Sequence, residues 1–515
     1  LKAGHFDLPF FIFDKTLLTK YMRIFYILIF TFFIFSACKE KSNETFFKPF
    51  IEVGSINIGD TGAAEITAFD ALTARLFVVN NSGNSRIDVI DLKDPSNMKV
   101  IHSIDLKVYG GLINSVAVYK GVLAAAVEAK DRQKNGSIVL FNTSDYSLIH
   151  SVEVGPVPDM VCFSPDGNFI LSANEGEPSQ DNKTDPPGSV SIIDIKNKYS
   201  VSNLSFASFK DQVPSLIRSG LRITGATEKY ENDLEPEYIT ISSNSEFAWV
   251  TLQENNAVAK IDLRSKSFVS LFPLGYKNYN LPENSIDVND TDSFINFTQH
   301  PVFGMYMPDA IANFDSGGNT YLIIANEGDT REYEFFTENR RLNSVKLDQA
   351  KFPNAAELQS DTNLGRLIID PEHGDTDKDG DIDSIFSFGG RGFSILEGNS
   401  GKMVWDSKNE LDRITKDSSR YNDQRSDDKS IEAEAVVIGK SGNNIYGFIG
   451  LDRTNAVAVY DINDPLKPVF RQLLKTGDGP EGLIFIKSED SPTSKPLLVV
   501  SSEYDGLIKV FSPEL

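Results

Sequence analysis

Five aspartates, Asp375, Asp377, Asp379, Asp381 and Asp383, occupy alternate positions of one short segment, DTDKDGDID, with Gly380 among them. Carboxylates at positions 1, 3 and 5 of a loop that turns sharply at a glycine in position 6 converge on one point, and calcium takes about six to eight hard oxygens. Without a cation so many close carboxylates repel one another. Position 12, where an EF-hand carries its bidentate Glu, is Phe386, so Asp383 at position 9 completes the set instead. The expectation is a calcium loop in which Asp381 contributes its backbone carbonyl.

A second set of acids is spread along the chain: Glu175, Glu235, Glu237, Glu327, Asp329, Glu432, Glu434, Asp452 and Glu481, with Glu177, Arg331, Arg453 and Glu503 nearby. They recur at strand ends or in the turns of similar hairpins, so a fold that repeats around an axis brings several of them to one mouth. Such a ring suits a divalent metal or a cationic ligand. A proline stands beside the acid in EPEY (235–238) and GPEGL (479–483) and fixes the backbone there.

Motifs for other chemistries are missing. The chain has no G-x-S-x-G elbow, phosphate-binding P-loop, H-E-x-x-H helix or G-x-G-x-x-G turn. His102, His150, His300 and His373 are far apart, which gives zinc no local ligand set. Cys162, inside the strand-like run MVCFS, reads as a small buried hydrophobe.

The elements that must position these acids repeat from residue 50 onward. Runs rich in Val, Ile, Phe and Tyr flank short polar turns, as in RLFVVNNSGNSRIDVIDL (75–92), FAWVTLQENNAVAKIDL (247–263) and IYGFIGLDRTNAVAVYDI (445–462). Most of these hairpins have a further strand candidate on each side, giving four strands per unit at about 40 to 50 residues, the signature of a β-propeller. The expected class is all-β: one propeller over 50–515 with seven or eight blades. Of eight hairpins, those near 321 and 384 lack a full set of strands and can share a blade, while FIEVGSINI (50–58) can complete the last one. Long inserts near 178–188, 207–234, 273–300, 331–363 and 406–430 should form loops over one face.

The first residues read as an address. An apolar run, IFYILIFTFFIFSA (24–37), follows Met22-Arg23 and precedes Cys38 and a polar stretch. Fourteen residues fall short of the roughly 20 that span a bilayer, and the pattern is that of a signal peptide. Phe35-Ser36-Ala37-Cys38 resembles the lipobox of bacterial lipoproteins, which implies a signal over 22–37, a lipid on Cys38 and a tether over 38–49. Residues 1–21 fit no part of such a leader and are expected to lie outside the mature protein. The net charge of −23 from 73 acidic and 50 basic residues repels nucleic acid. The 40% hydrophobic content places the chain among folded proteins.

Several segments together carry a family resemblance: ANEGE (173–177), LQENNAVAKIDL (252–263), ANEGDTRE (325–332), GGRGFSI (389–395), DQRSDDK (423–429), GLDRTNAVAVYDI (450–462) and GPEGL (479–483). In this order they resemble the choice-of-anchor I domain, related to mesenchyme-specific cell-surface glycoproteins and YVTN-type propellers. DTDKDGDID also resembles the calcium loops of integrin-type propeller blades. The resemblance implies a secreted, surface-anchored propeller, with no catalytic residues to carry over. The chain departs from the family where Ser430-Ile431-Glu432-Ala433-Glu434 and Asp452 stand, which weakens any inherited metal site. The expected protein is a monomer, calcium-stabilised and lipid-anchored in the bacterial cell envelope at a periplasmic or surface face. It binds a ligand or protein partner through its loop face. The rival is a calcium-dependent phosphoesterase similar to alkaline phosphatases or β-propeller phytases.

Overall fold

The computed structural model describes residues 47–224 and 229–514. The chain divides into Leu1–Phe47 and Lys48–Leu515, and the architecture below is that of the second unit. Cys38 and the expected signal over 22–37 lie outside the described residues. Among the described residues no helix is long and apolar enough to cross a membrane.

The described residues form seven four-stranded antiparallel sheets. The first four follow the chain directly, led by strands Thr67–Asp70, Ile113–Tyr119, Pro158–Phe163 and Ile239–Ile241. Sheet five joins Ile311–Ser316, Asn319–Asn326, Gly392–Glu397 and Met403–Asp406, and sheet six begins with Ala433–Ser441. Sheet seven takes Pro480–Ile486, Leu497–Ser502 and Leu507–Pro513 from the end of the chain and Phe50–Asn57 from its start. Each leading strand touches the leading strand of the next sheet, and that of sheet seven touches that of sheet one.

Packing explains the sequence pattern. The second strand of a sheet is covered on both faces by neighbouring sheets, so it is apolar without alternation, as in Leu76–Asn80, where every residue is buried. Separate cores lie between successive sheets. Phe77 and Val89 meet Ile113 and Leu123 between sheets one and two, and Leu171 and Ile192 meet Ile239 and Val250 between three and four. Trp249 and Val258 meet Leu322 and Ile324 between four and five, and Leu76 and Val78 meet Val499 and Ile508 between seven and one. Between six and seven the contact is aromatic: Phe448 stacks on Phe485 at 5.5 Å and takes Phe50 edge-on at 5.2 Å.

The expected pairing of residues 50–58 with the last sheet is seen, register running from Phe50 opposite Pro513 to Asn57 opposite Leu507. Gly54 in that strand sits where a Cβ would lie 1.7 Å from the Pro95 carbonyl oxygen, so only glycine fits. The hairpins near 321 and 384 do share one sheet, but 384–396 is not itself a hairpin. Its second half, Gly392–Glu397, pairs with Asn319–Asn326, whereas Ile385–Ser387 pairs in parallel with Val302–Met305 in a separate three-stranded sheet. That small sheet and the segments around it have their own core of Tyr279, Ile286, Leu342, Leu347, Leu364, Leu367 and Ile385. The insert is therefore a packed cap rather than a loose loop.

Candidate functional site

Every leading strand carries one extra residue near its beginning. In sheets two, three, six and seven the register slips past Asn114, Asp159, Glu434 and Glu481. In sheets one, four and five two residues share one partner: Glu65 N donates to Val79 O while Val79 N donates to Ile66 O, and the same exchange links Glu237 and Tyr238 to Thr251 and Asp309 and Ala310 to Ala325. These are β-bulges, which bend a strand and re-aim a side chain. The extra residues make an inner ring of six carboxylates and one asparagine: Glu65, Asn114, Asp159, Glu237, Asp309, Glu434 and Glu481. Asn114, Asp159, Asp309 and Glu481 line one narrow cavity of about 70 Å³.

Counting two residues on from the partner of each bulge reaches Asn81, Glu128, Glu175, Gln253, Glu327, Asp452 and Glu503, an outer ring at the turn end of the second strands. The rings are tied together where an amide is available. Asn81 Nδ2 donates to Glu65 at 2.8 Å and Asn114 Nδ2 to Glu128 at 3.2 Å, while Gln253 Nε2 donates to its outer-ring neighbour Glu327 at 2.8 Å. Elsewhere acid faces acid, and ligand oxygens of Asp309, Glu327 and Glu434 lie within 4.8 Å of one another.

The electrostatics follow from desolvation and from the crowding of like charge, opposed at Asp159 by Arg132. Burial first, then Glu177 and Glu128, push the Asp159 carboxyl up to about 7. Burial, with Glu503 and Asp159, raises Glu65 to about 7 against the lowering hydrogen bond from Asn81. Burial also holds Glu237, Asp309, Glu434 and Glu481 well above the usual carboxylate range, helped by Glu254 at Glu237, by Glu327 at Asp309 and Glu434, and by Glu503 at Glu481.

Above the outer ring the inserts enclose an open pocket of about 710 Å³, whose lining of charged and polar side chains has Ile368 as its one aliphatic member. Its cations are all paired. Arg132 bridges Glu128 and Glu177, Arg331 bridges Glu235 and Glu338, and Lys429 lies 3.0 Å from both Glu327 and Asp329. On the other side of the inner ring the cavity shares Ile66, Ser115, Met160, Tyr238 and Leu483 with a wider mouth of about 680 Å³ that is lined mostly by apolar side chains.

The structure sorts the expected mouth acids. Glu175, Glu237, Glu327, Glu434, Asp452 and Glu481 stand in the two rings. Glu235 is ion-paired with Arg331 at 2.9 Å, and Asp329 is exposed beside Lys429. Glu432 is held by Lys429, Arg425 and Arg453; burial pushes its carboxyl up, but the three cations outweigh it and keep it below the ordinary range. The ring members Glu65, Glu128, Asp159 and Asp309, and nearby Glu254, were not singled out in the sequence. The signal for two of them was present: Pro158-Asp159 and Pro308-Asp309 repeat the proline–acid pair of Pro236-Glu237 and Pro480-Glu481.

The aspartate loop lies in the cap, between the short helix Pro371–Gly374 and strand Ile385–Ser387. Oxygens of Asp375, Asp377 and Asp383 lie within 4.8 Å of one another, as do those of Asp348, Asp381 and Asp383. Gly380 turns the loop at φ +94°. Asp375 accepts from the amides of Asp379 and Gly380, and Asp383 from those of Thr376 and Asp377. Asp381 pairs through its side chain with Lys346 at 2.6 Å, and Asp379 accepts from the Asp381 amide rather than joining either group. Cys162 is half-buried beside the apolar mouth, where burial pushes its thiol up to about 12.

The choice-of-anchor I domain matches residues 65–465. The chain belongs to this family. Gigasin-3a of Magallana gigas is 25% identical over 199 residues, covering 32% of this chain and 70% of that protein. The mesenchyme-specific cell surface glycoprotein of Strongylocentrotus purpuratus is 25% identical over 299 residues, 48% of this chain and 37% of that one. The choice-of-anchor I chain thus spans about a third of the glycoprotein's length. Among solved structures, hydrazine synthase of Kuenenia stuttgartiensis aligns with a TM-score of 0.49 at 14% identity, over 88% of this chain and 96% of that chain. The family match takes in sheets one to five entirely and the leading three strands of sheet six, and with them both rings except Glu481 and Glu503.

Proposed function

We propose that this choice-of-anchor I protein is an extracytoplasmic seven-bladed propeller that binds a polar, charged or polyhydroxylated ligand in the pocket on its loop face. The observation that carries the reading is the pocket itself: about 710 Å³ walled by the inserts, with Arg and Lys side chains already held in place by carboxylates. Ion pairs formed before the ligand arrives reduce the ordering cost of binding. A wall of this kind recognises hydrogen-bonding groups and charges rather than apolar surface. Tyr333, Asn339 and Gln180 supply neutral contacts between the charges. The seven leading strands, each touching the next, support the blade number.

An array of immobilised glycans, phosphosugars and acidic peptides tests this reading. Binding by the parent chain that is lost in Tyr333→Ala with Asn339→Ala is expected. Absence of binding, or binding indifferent to both changes, sinks it. Lipid anchoring through Cys38 and calcium in the aspartate loop belong to the same reading. Cys38→Ser should shift the protein from the detergent phase to the aqueous phase, and a variant that stays in detergent rules the anchor out.

One observation favours a second reading, a calcium-dependent phosphoesterase. Lys429 stands 3.0 Å from Glu327, within the cluster that includes Asp309 and Glu434, so a cation adjoins a set of metal-type ligands. Metal there would polarise a phosphoryl oxygen. Calcium-dependent release of nitrophenol from p-nitrophenyl phosphate, abolished by Glu327→Gln, would put this reading first.

A further inference from the structure

The loop-face pocket is walled by eight acidic and six basic residues. Each of the six cations, Arg132, Arg331, Arg341, Arg425, Lys429 and Arg453, already stands within ion-pair distance of a carboxylate. Arg331 is buried, engages Glu235 at 2.9 Å and Glu338 at 3.4 Å, and donates through Nη2 to the Asp233 carbonyl at 2.8 Å. An anion that took up such a cation would break the pair, which is costly where the abandoned charge is buried. The cations therefore brace the wall and leave little free positive charge for a ligand.

Two acids of the wall are in the opposite state. Glu254 is 9% exposed and Glu235 is 3% exposed, both line the pocket, and neither Glu254 Oε2 nor Glu235 Oε1 has a hydrogen-bond partner. Among the described residues no Lys, Arg or His nitrogen stands within ion-pair distance of Glu254, because Arg331 is taken up by Glu235, Glu338 and Asp233. Hydrogen bonds hold the two acids in one place. Asn255, next after Glu254, accepts through Oδ1 from the Glu235 amide at 3.1 Å and donates to the Asp233 carbonyl at 2.7 Å, while Arg222 Nη1 donates to the Glu254 carbonyl at 3.0 Å. Burying an acceptor without a donor costs free energy, and a donor brought by a ligand removes that cost. Burial pushes the Glu254 carboxyl up to about 8, opposed by Arg331 at longer range, and a bound cation takes the place of that proton.

We propose that the loop-face pocket selects a cationic organic ligand and seats its ammonium group against Glu254 and Glu235. The inference rests on the pocket reading above and names the class of ligand. An ammonium brings three donors, whereas a metal ion needs several converging oxygens, and Glu235 and Glu254 belong to none of the carboxylate groups close enough to share one ion. Tyr333 lines the same pocket, its ring stacked on Phe335 with centroids 5.4 Å apart, and an aromatic face attracts a partly desolvated cation. Gln180 and Asn339 add neutral hydrogen-bonding groups for the rest of the ligand. The volume of about 710 Å³ lies within the range of small-molecule sites, about 300 to 1,000 Å³, with room for an amine carried on a sugar or a short chain.

The test titrates the full chain, in chelator, with a glucosamine oligomer, its N-acetylated counterpart and spermidine. The glucosamine oligomer should bind at least about tenfold more tightly than the acetylated one, which has the same sugars without the charge, since a hydrogen bond to a charged group is worth that much. A chain with a net charge of −23 also attracts amines without a site. Glu254→Gln should therefore abolish the preference, while the ligand-free variant unfolds at no lower denaturant than the parent, because this acid has no partner to lose. Should that variant fail to fold, Tyr333→Ala should still weaken the glucosamine oligomer severalfold. Equal affinity of the parent for the two oligomers overturns the inference, as does amine binding that either change leaves intact. Spermidine, an amine without hydroxyls, separates the carriers: affinity equal to that of the glucosamine oligomer assigns recognition to the ammonium alone, and weaker affinity assigns it to an amino sugar. A neutral or phosphorylated ligand that is lost in Tyr333→Ala with Asn339→Ala, with no preference for amines, would sink this inference and leave the pocket reading standing, whereas absence of binding by every class sinks both.

Discussion

Lys429 Nζ lies 3.0 Å from the Glu327 carboxylate and joins the charged pocket to the outer ring of acids. The lysine is buried, and it also touches Asp329 at 3.0 Å and Glu432 at 3.3 Å. Burial pulls its proton affinity down, but these acids outweigh burial and hold it well above the ordinary lysine range. It is charged, and it occupies one side of Glu327 that a metal would otherwise share.

Lys429→Met should therefore act in opposite directions on stability and on metal affinity. Removing one partner of a buried ion pair costs about 3 to 5 kcal/mol, so the chelated variant should unfold at lower denaturant than the parent. Calcium should bind the variant more tightly, because Glu327 no longer has a competing cation. Equal denaturation midpoints in chelator would show that the lysine is not balancing these acids.

Joining the first strand to the last sheet places Phe50, 2% exposed, against Phe448. Its amide also finds a partner at the edge of sheet six, donating to Gln472 Oε1 at 2.8 Å, and Gln472 Nε2 donates back to the Phe50 carbonyl at 2.9 Å. Phe50→Ala removes the ring and leaves a cavity, at a cost of about 3 to 5 kcal/mol. Proteolysis should then begin at both chain ends of sheet seven. A variant as resistant as the parent would mean that this strand does not secure sheet seven.

Much of this architecture was legible in the sequence because the second and third strands of each sheet are buried on both faces. RLFVVN and FAWVTL therefore stand out as unbroken apolar runs next to polar turns. The outer ring was partly legible for the same reason: Glu175 and Glu327 directly follow such runs in ANEG. The inner ring was harder to see. Thr67–Asp70 and Ile239–Ile241 are short leading strands, and Glu65 and Glu237 lie just before them, where no hydrophobic period marks the register. The cap was missed as a packed unit because Leu342, Leu347 and Leu364 are separated by polar turns and helices of a few residues, too short to show a period. Glu432 misled because it belongs to the same acidic run as Glu434, while the turn that brings back Lys429 and Arg425 and the pairing that brings Arg453 to it exist only in the fold.

The aspartate loop supports a prediction of its own. Asp377 is exposed, and partial desolvation, followed by repulsion from Asp379 and Asp383, raises its carboxyl. A calcium bound there at roughly 100 times its dissociation constant adds about 2.7 kcal/mol to the unit that unfolds with it. Chelation should lower the melting temperature, and Asp377→Ala with Asp383→Ala, which takes a carboxylate from both groups of the loop, should remove the loop's part of that response. A double variant whose calcium response matches the parent's would reduce DTDKDGDID to an acidic turn.

His300 gives the acid-side prediction. It is buried at the edge of the cap, with Nε2 2.8 Å from Thr298 Oγ1, and burial, followed by the charge of Arg391, lowers its pKa from 6.5 to about 4. The unfolded chain takes up the proton near pH 6.5 while the native one resists it until about pH 4. Stability contributed by this group is thus complete above pH 6.5 and is lost as pH falls through that window. The shift corresponds to about 3 kcal/mol at its lower end. His300→Gln removes the titration. Unfolding free energies of parent and variant, measured in the same chelated buffer, should differ by a constant above pH 7. Below that the parent should lose ground steadily toward pH 4, on top of whatever the carboxylates do in both proteins. Parallel curves across the whole range would mean that His300 is protonated in the folded protein and that its burial does not exclude the charge.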